Sequence, residues 1–516
     1  MRRHELDDCA LILRPGDDVA VLKRPVKPGD ELLGANRCLQ VRETIGAGHK
    51  IALRDIPEGE PVRKYGQIIG FAGADIAAGA HVHSHNLVLR DFSREYAFCT
   101  EAGPLVLPIE NARTFQGYAR PGGLVGTRNF IAVISSVNCS ASVSHYVRDR
   151  FRHDGFHRDY PNVDGVIAFT HKAGCAMDPG EPQRVLQRVL AGVARHPNIS
   201  GYVMIGLGCE VNQIDALRQN HRLDQLQPGE AAPVFMNIQK VGGVRRTVDA
   251  GVEAVLKLLP PANAMRRTPQ PLSKLVLAEN CGGSDGNSGI TANPALGVAS
   301  DELVRHGGTS VLGETPEIYG AEHLLTRRAV SREVGEKLVQ LIHWWEEHAR
   351  LHRASIDNNP SFGNKEGGLT TIVEKSLGAV AKAGQAPLSA VYQYAEPITT
   401  RGLCFMDTPG YDPVSMTGLV AGGCNVAVFT TGRGSVYGCK PTPCLKVATN
   451  SALYHWMEDD MDINAGTILD GTETVEEVGR RIFEKILAVA GGERTKSELA
   501  GLGDEEFAPW QLGPTF

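Results

Sequence analysis

Residues 130–137 read FIAVISSV, and the segments that follow decide the fold: SASVSHYVRDRFR (140–152), GVIAFT (165–170), QRVLQRVLAGVARH (183–196), GYVMIGLG (201–208) and NQIDALRQNHR (212–222). Short apolar runs alternate with stretches whose apolar residues recur at helical spacing. Strand then helix, repeated, predicts α/β layering on a parallel sheet. The same grammar resumes at KLVLAENC (274–281) and runs through TSVLGET (309–315), a charged helix over 331–351, GLCFMDTP (402–409) and NVAVFTTG (425–432). A second α/β domain is therefore expected to begin near Ser273, with the Pro-rich PPANAMRRTPQP (260–271) as the linker before it.

Upstream, from Asp17 to about Val88, short apolar runs are broken by Pro-Gly, Gly-Ala-Gly, Pro-Glu-Gly and Ala-Ala-Gly, which reads as a small β-module with tight turns. EAGPLVLPIENARTFQGYARPGG (101–123) holds no sustained period and reads as an extended connection. No tandem repeat or low-complexity segment stands out. The division expected is a β-module over 1–92, a linker over 93–123, an α/β domain over 124–265 and a second one over 266–516.

With 42% hydrophobic and 22% charged residues, the 516-residue chain has the composition of a globular protein of several domains. A net charge of -6 offers no electrostatic footprint for nucleic acid or an anionic membrane, so a small molecule is the expected partner. No apolar run approaches the roughly 20 residues that span a bilayer, and the first 22 residues lack a signal peptide's unbroken apolar segment. A cytoplasmic protein is expected, with its eleven cysteines reduced.

Open α/β sheets bind ligands at the carboxyl ends of their strands. Four such ends here carry a thiol: Cys139, Cys175 (with His171 in FTHKAGC), Cys209 (beside Glu210 in IGLGCE) and Cys281 (with Asp285 in LAENCGGSDG). Cysteine also packs into strands as a small hydrophobe. The joint pattern, with glycine and a second polar ligand nearby, points instead to a metal, although CxxC spacing is absent. Convergence of all four thiols would make an iron–sulfur cluster the sharper reading.

NPSFGNKEGGLTTIVEKSLG (359–378) joins Asn364, Lys365 and Lys375 to glycines, a combination suited to a carboxylate or phosphate and equally to a solvated loop. FTTGRGSVYG (429–438) sets Thr430, Thr431 and Arg433 at a strand end, where an Arg fork can hold a carboxylate. His81, His83 and His85 alternate in HVHSHN, so a strand would point all three imidazoles to one face, for acid/base or metal duty. Glu314 and Glu317 in GETPEIYG follow a predicted strand and are candidate bases or ligands, or simply helix N-terminal charges.

ETIGAGHKIALRDIPEGEPVRKYGQIIGFAGADIAAGAHVHSHN (43–86) resembles the small β-clip (SAF) module. GTRNF, HPNISGYVMIGLGCE, CGGSDGNSGITANPALG, the 359–378 and 429–438 segments and DMDINAGTI resemble the altronate/galactarate dehydratase family, over about residues 17–470. The resemblance implies an α/β multidomain protein: an N-terminal β-clip, then two α/β domains, the last a Rossmann-like parallel-sheet variant. It implies a homodimer formed through the second domain. It also implies iron-dependent dehydration of a hexonic or hexaric acid to a 2-keto-3-deoxy acid. The histidine triplet resembles the altronate branch; galactarate or another hydroxy acid is the alternative.

On this reading the metal is Fe²⁺, with Mn²⁺ or another divalent ion as alternatives, and Cys139, Cys175, Cys209, Glu210, Cys281 and Asp285 are its candidate ligands. Asn364, Thr430, Thr431, Arg433, Ser284 and Asn293 are expected to hold substrate. His81, His83, His85, His171, Lys365 and Lys375 are the candidate catalytic groups. A nucleotide-dependent oxidoreductase is disfavoured by the lack of a strand leading into GxGxxG, whereas a non-catalytic sugar-acid sensor would share the anion loops.

Overall fold

The computed structural model describes residues 2–34, 37–90, 96–101, 113–225, 232–513 and 515. The N-terminal module is built from short, mostly antiparallel strands, including a sheet of Ala10–Leu11, Val19–Leu22, Lys50–Ala52 and His81–Val82. Its turns share one design. Val26, Ile45, Ile56 and Ile76 are each buried and each precede by three residues a glycine of positive φ: Gly29, Gly48, Gly59 and Gly79. The apolar residues pair across the module, Val26 with Ile45 and Ile56 with Ile76. This recurrence of turn geometry escapes a search for tandem sequence repeats, because only two of every four residues are constrained.

The middle domain carries a parallel sheet in the order Gly165–Phe169, Phe130–Ser135, Ile199–Gly206, Val234–Asn237. The C-terminal domain carries seven parallel strands: Leu388–Tyr392, Gly402–Met406, Thr309–Leu312, Val276–Cys281, Val426–Thr431, Cys444–Ala448 and Ile463–Asn464. From Val276–Cys281 the chain first builds the sheet toward one edge, then returns at Val426–Thr431 to build the other. The strand order therefore reverses between these two neighbours, which is where an open α/β sheet opens a crevice.

Both expected linkers are more ordered than their composition suggests. Thr114–Ala119 is a strand, and it pairs antiparallel with Thr268–Pro271 and with Val125–Gly126. Residues 93–95 and 102–112 of the first linker lie outside the described residues. Pro260 and Pro261 sit inside the helix Val244–Ala264 rather than beyond it. Each extended segment lacks a periodic apolar face of its own, and pairing with the other satisfies its backbone.

The starts of the two parallel sheets are tied together by polar side chains. The Asn198 carboxamide oxygen accepts from Thr127 N (2.7 Å), the Thr127 hydroxyl donates to Asn425 O (2.6 Å), and Asn425 Oδ1 accepts from Val276 N (2.9 Å). Arg128, buried, forks onto Glu498 at 2.6 and 2.8 Å. The GTRNF and HPNIS motifs thus hold the sheets together at their amino ends, leaving the carboxyl ends for ligands.

The β-module is not a free appendage. Val19, Ile56, Val62, Ile69 and Val82 share one core with Ile318, Ile372, Val373 and Phe405 of the C-terminal domain. Beside that core, Glu374 accepts from Lys50 Nζ (2.9 Å) and Lys64 Nζ (2.8 Å), all three side chains being at most 1% exposed. Burial would raise Glu374, but Lys50 and Lys64 hold it well below the usual carboxylate range.

Candidate active site

The crevice at the order reversal lies between the loops after Cys281 and Thr431, and the β-module covers it. A cavity of about 370 Å³ is lined there by Asp285, Asn287, Gly367, Arg433 and Asn450 from the C-terminal domain and by Lys23 and Ala47 from the module. The contact is made by backbone. A Cβ on Gly286 would sit 2.0 Å from Gly48 O, and one on Gly368 2.4 Å from the same atom. Gly48 itself has φ +80, so its turn delivers the next residue, His49, to the backbone of Glu366, a cavity-lining residue.

His49 there meets two of the sequence-predicted histidines. His49 Nδ1 lies 3.0 Å from His81 Nε2, and the His49 and His83 rings stack at 5.4 Å. Ring nitrogens of His49, His81 and His83 all lie within 4.8 Å of one another. Backbone carbonyls fix two tautomers. His49 Nε2–H donates to Glu366 O (3.1 Å) and His83 Nε2–H to Lys365 O (2.8 Å), leaving each Nδ1 with its lone pair. Burial, first of all, lowers all three imidazoles, His81 to about 3, so they are neutral at pH 7. His85 stays exposed with its ring 5.6 Å from that of His81, because the strand ends at Val82 and the alternation breaks in the turn beyond it. His49 was not singled out by sequence; the signal available was the glycine turn immediately before it.

Behind the crevice is a second polar cluster, buried but for Asn359 at its margin. Lys382 Nζ lies 2.9 Å from Cys281 Sγ and 2.8 Å from Glu314 Oε2, and Lys375 Nζ lies 2.6 Å from Glu317 Oε1 and 2.7 Å from Asn359 Oδ1. Cys281, Glu314 and Glu317 also present donor atoms within 4.8 Å of one another. Glu314 adopts φ +65, a left-handed conformation costing a non-glycine residue about 1–3 kcal/mol, and its Oε1 is buried with no hydrogen-bond partner. Burial and then Glu317 raise Glu314 to about 7, and burial and then Glu314 push the Cys281 thiol well up. Lys382 escaped sequence reading because nothing local distinguishes it from a surface lysine.

The remaining candidates separate by environment. Asp285 lines the cavity, yet its oxygens already accept from Thr449, Ser288, Asn287 and Asn450. Asn364 donates to Ser284 O (2.8 Å) and caps its own helix through Ser361. Thr430 donates to Asn293 Oδ1, Asn293 donates to Gly378 O, and Thr431 accepts from Gly434 N, so these three shape the loops from inside. Arg433 reaches the cavity with Glu366 at 3.3 Å. Lys375, expected at the site, is instead buried in the cluster behind it. His171, expected as a proton carrier, has both ring nitrogens engaged by backbone, Nε2 with Ser135 O and Nδ1 with Ala173 N. Burial lowers it to about 4.

The four strand-end thiols do not form one constellation. Cys281 is buried in the seven-stranded sheet, while Cys139, Cys175 and Cys209 are exposed together on the middle one, with Glu210 buried beneath them and bonded to Ser136.

Three family models match the chain in succession: the altronate/galactarate dehydratase SAF domain over residues 8–90, the D-galactarate dehydratase/altronate hydrolase second domain over 117–263, and the D-galactarate/altronate dehydratase C-terminal domain over 272–515. An altronate dehydratase of Bacillus subtilis (strain 168) is 36% identical over 97% of this chain and 98% of its own length. One from Escherichia coli (strain K12) is 37% identical over 93% and 95%. A galactarate dehydratase (L-threo-forming) of the latter organism is 40% identical over 90% of each chain.

Proposed function

The chain belongs to the altronate/galactarate dehydratase family, and from that premise we propose that it is a metal-dependent hydro-lyase converting D-altronate to a 2-keto-3-deoxy acid and water. The observation that carries this reading is the meeting of His49, His81 and His83 against the backbone of Lys365 and Glu366, a segment whose Glu366 and Gly367 line the cavity that Arg433 reaches at the order reversal of the sheet.

These three imidazoles would hold Fe²⁺, with Mn²⁺ or another divalent ion as alternatives. The donor set fits: neutral rings, close together, two of them oriented by carbonyls in the manner of metal-ligating histidines. The Cys281 set fits less well, because the Lys382 ammonium already lies against both Cys281 and Glu314, and two lysines balance the two carboxylates. When bound, the metal supplies Lewis-acid stabilisation of the negative charge that develops during elimination. Arg433 holds the substrate carboxylate by its fork, and Asn450 and Ser451 offer hydrogen bonds to hydroxyls. His85, exposed beside His81, is the imidazole left to carry a proton. Asp285, Asn364, Thr430 and Thr431 keep the loops in register.

Galactarate is a second reading, favoured by the 40% identity to a galactarate dehydratase. A diacid needs a second cation, and Lys23 supplies one at the cavity edge. A homodimer is proposed as well. It rests on exposed apolar side chains of the middle domain: Tyr146 on Ala141–Asp149 and Val244 and Leu256 on the helix packed against it are 54%, 50% and 47% exposed.

The test is formation of 2-keto acid from altronate and galactarate before and after chelation, with Fe²⁺ added back. Activity is expected to fall to background and to return with iron, altronate reacting faster. Full turnover without metal would sink the metal assignment. Unchanged turnover in His83→Asn, with unchanged melting, would remove the β-module from the chemistry.

A further inference from the structure

The exposed thiols of the middle domain form a site of their own. Three adjacent parallel strands, Gly165–Phe169, Phe130–Ser135 and Ile199–Gly206, each run at the carboxyl end into a loop bearing one cysteine: Cys175, Cys139 and Cys209. The loops are bonded to one another rather than merely adjacent. Asn138 N donates to Ala173 O (3.0 Å), Val211 N to Cys175 O (3.1 Å), and the Asn212 side chain to Ser136 O (2.9 Å). The Cys139 thiol lies within electrostatic reach of those of Cys175 and Cys209. Glycines precede two of the thiols. A Cβ on Gly174 would lie 2.7 Å from Ser136 O, and Gly208 has φ +125, so both turns require glycine to bring the sulfurs forward. Gln239 Nε2 donates to Cys209 Sγ at 3.3 Å.

Sulfurs on a single tetrahedral ion sit about 3.8 Å apart, given metal–sulfur bonds of about 2.3 Å. Among the described residues, Cys139, Cys175 and Cys209 do not form a set whose donors all lie within 4.8 Å, unlike the histidine cluster of the β-module and the Cys281 cluster of the C-terminal domain. A cubane cluster binds each cysteine to a different iron and so spans wider spacing, and an amide donor to a ligand sulfur is one of the protein's means of setting its potential.

We propose that Cys139, Cys175 and Cys209 bind a [4Fe–4S] cluster in the middle domain, with the fourth iron open to an oxygen ligand. Assembly takes two ferrous and two ferric ions, four sulfides and three thiolates, each cysteine releasing its proton. The site is separate from the histidine cluster, and either assignment can fail without the other.

The test is anaerobic reconstitution of the full chain with ferrous and ferric iron, sulfide and a thiol reductant, followed by desalting. Expected are four irons and four sulfides per chain with a broad visible absorption band. Cys139→Ser, Cys175→Ser and Cys209→Ser should each lose the band while keeping the far-ultraviolet circular dichroism of the parent. Cys38→Ser and His81→Asn should retain it. Retention of the band in all three serine variants overturns the proposal, as does its loss in His81→Asn or the binding of one zinc per chain in place of iron and sulfide.

Discussion

The middle and C-terminal sheets are written in the same strand-and-helix grammar, and both end strands in cysteine beside glycine and a polar residue. Their outcomes differ because of what covers them. On the middle sheet only the C-terminal segment around Pro509–Leu512 approaches the loop of Cys175 among the described residues, and the three thiols stand exposed. On the C-terminal sheet the β-module is seated over the crevice, Cys281 is sealed in with two carboxylates and two lysines, and the accessible chemistry passes to histidines contributed by the cover. A strand-end cysteine is thus an ambiguous sign until the covering layer is known.

The comparison breaks most easily at the seat of the cover. Glu374→Gln leaves Lys50 and Lys64 buried without a counter-charge, and a loss of about 3–5 kcal/mol is expected in urea unfolding, with early cleavage of the module by protease. A change under 1 kcal/mol would mean that the shared apolar core alone seats the module.

A smaller effect distinguishes the middle domain by pH. His171 and His196 are buried and lowered to about 4, so between their unfolded pKa near 6.5 and pH 4 the unfolded chain binds protons that the folded chain does not. Stability therefore rises with pH in this window and is lost as pH falls through it, by up to about 1.4 kcal/mol per pH unit for each histidine. His196→Gln should reduce the slope measured in denaturant titrations by up to about 1.4 kcal/mol per pH unit at pH 4.5–6.5, His81 and His171 keeping their shares; an unaltered slope would point to other groups.

The smallest effect contrasts the thiols directly. In metal-free protein, Cys281→Ala is expected to cost about 1–3 kcal/mol and Cys139→Ser to stay within about 0.5 kcal/mol, read as shifts in the urea midpoint. Equal costs would erase the difference between covered and open strand ends.

Much of this architecture is legible in the sequence, since apolar periodicity is a local property. The strand ends at Cys139, Cys175, Cys209 and Cys281 fall where alternation places them, and Ser331 caps the helix Arg332–Leu351 that its charges announce. What escapes is set by distant pairing. His49 gains meaning only when a glycine turn carries it to His81, 32 residues away in sequence. Lys382 becomes a partner of Cys281 across 101 residues. Asn364 has the composition of an anion loop, but its amide is spent on Ser284 O, which no local pattern reveals.

The contact among Gly48, Gly286 and Gly368 works as a mechanical stop. Main chain meets main chain there, so the distance between roof and floor is fixed by peptide geometry and owes nothing to rotamers. Side chains around the cavity can change, and the room they share keeps its height; a single methyl at Gly286 or Gly368 lifts the roof.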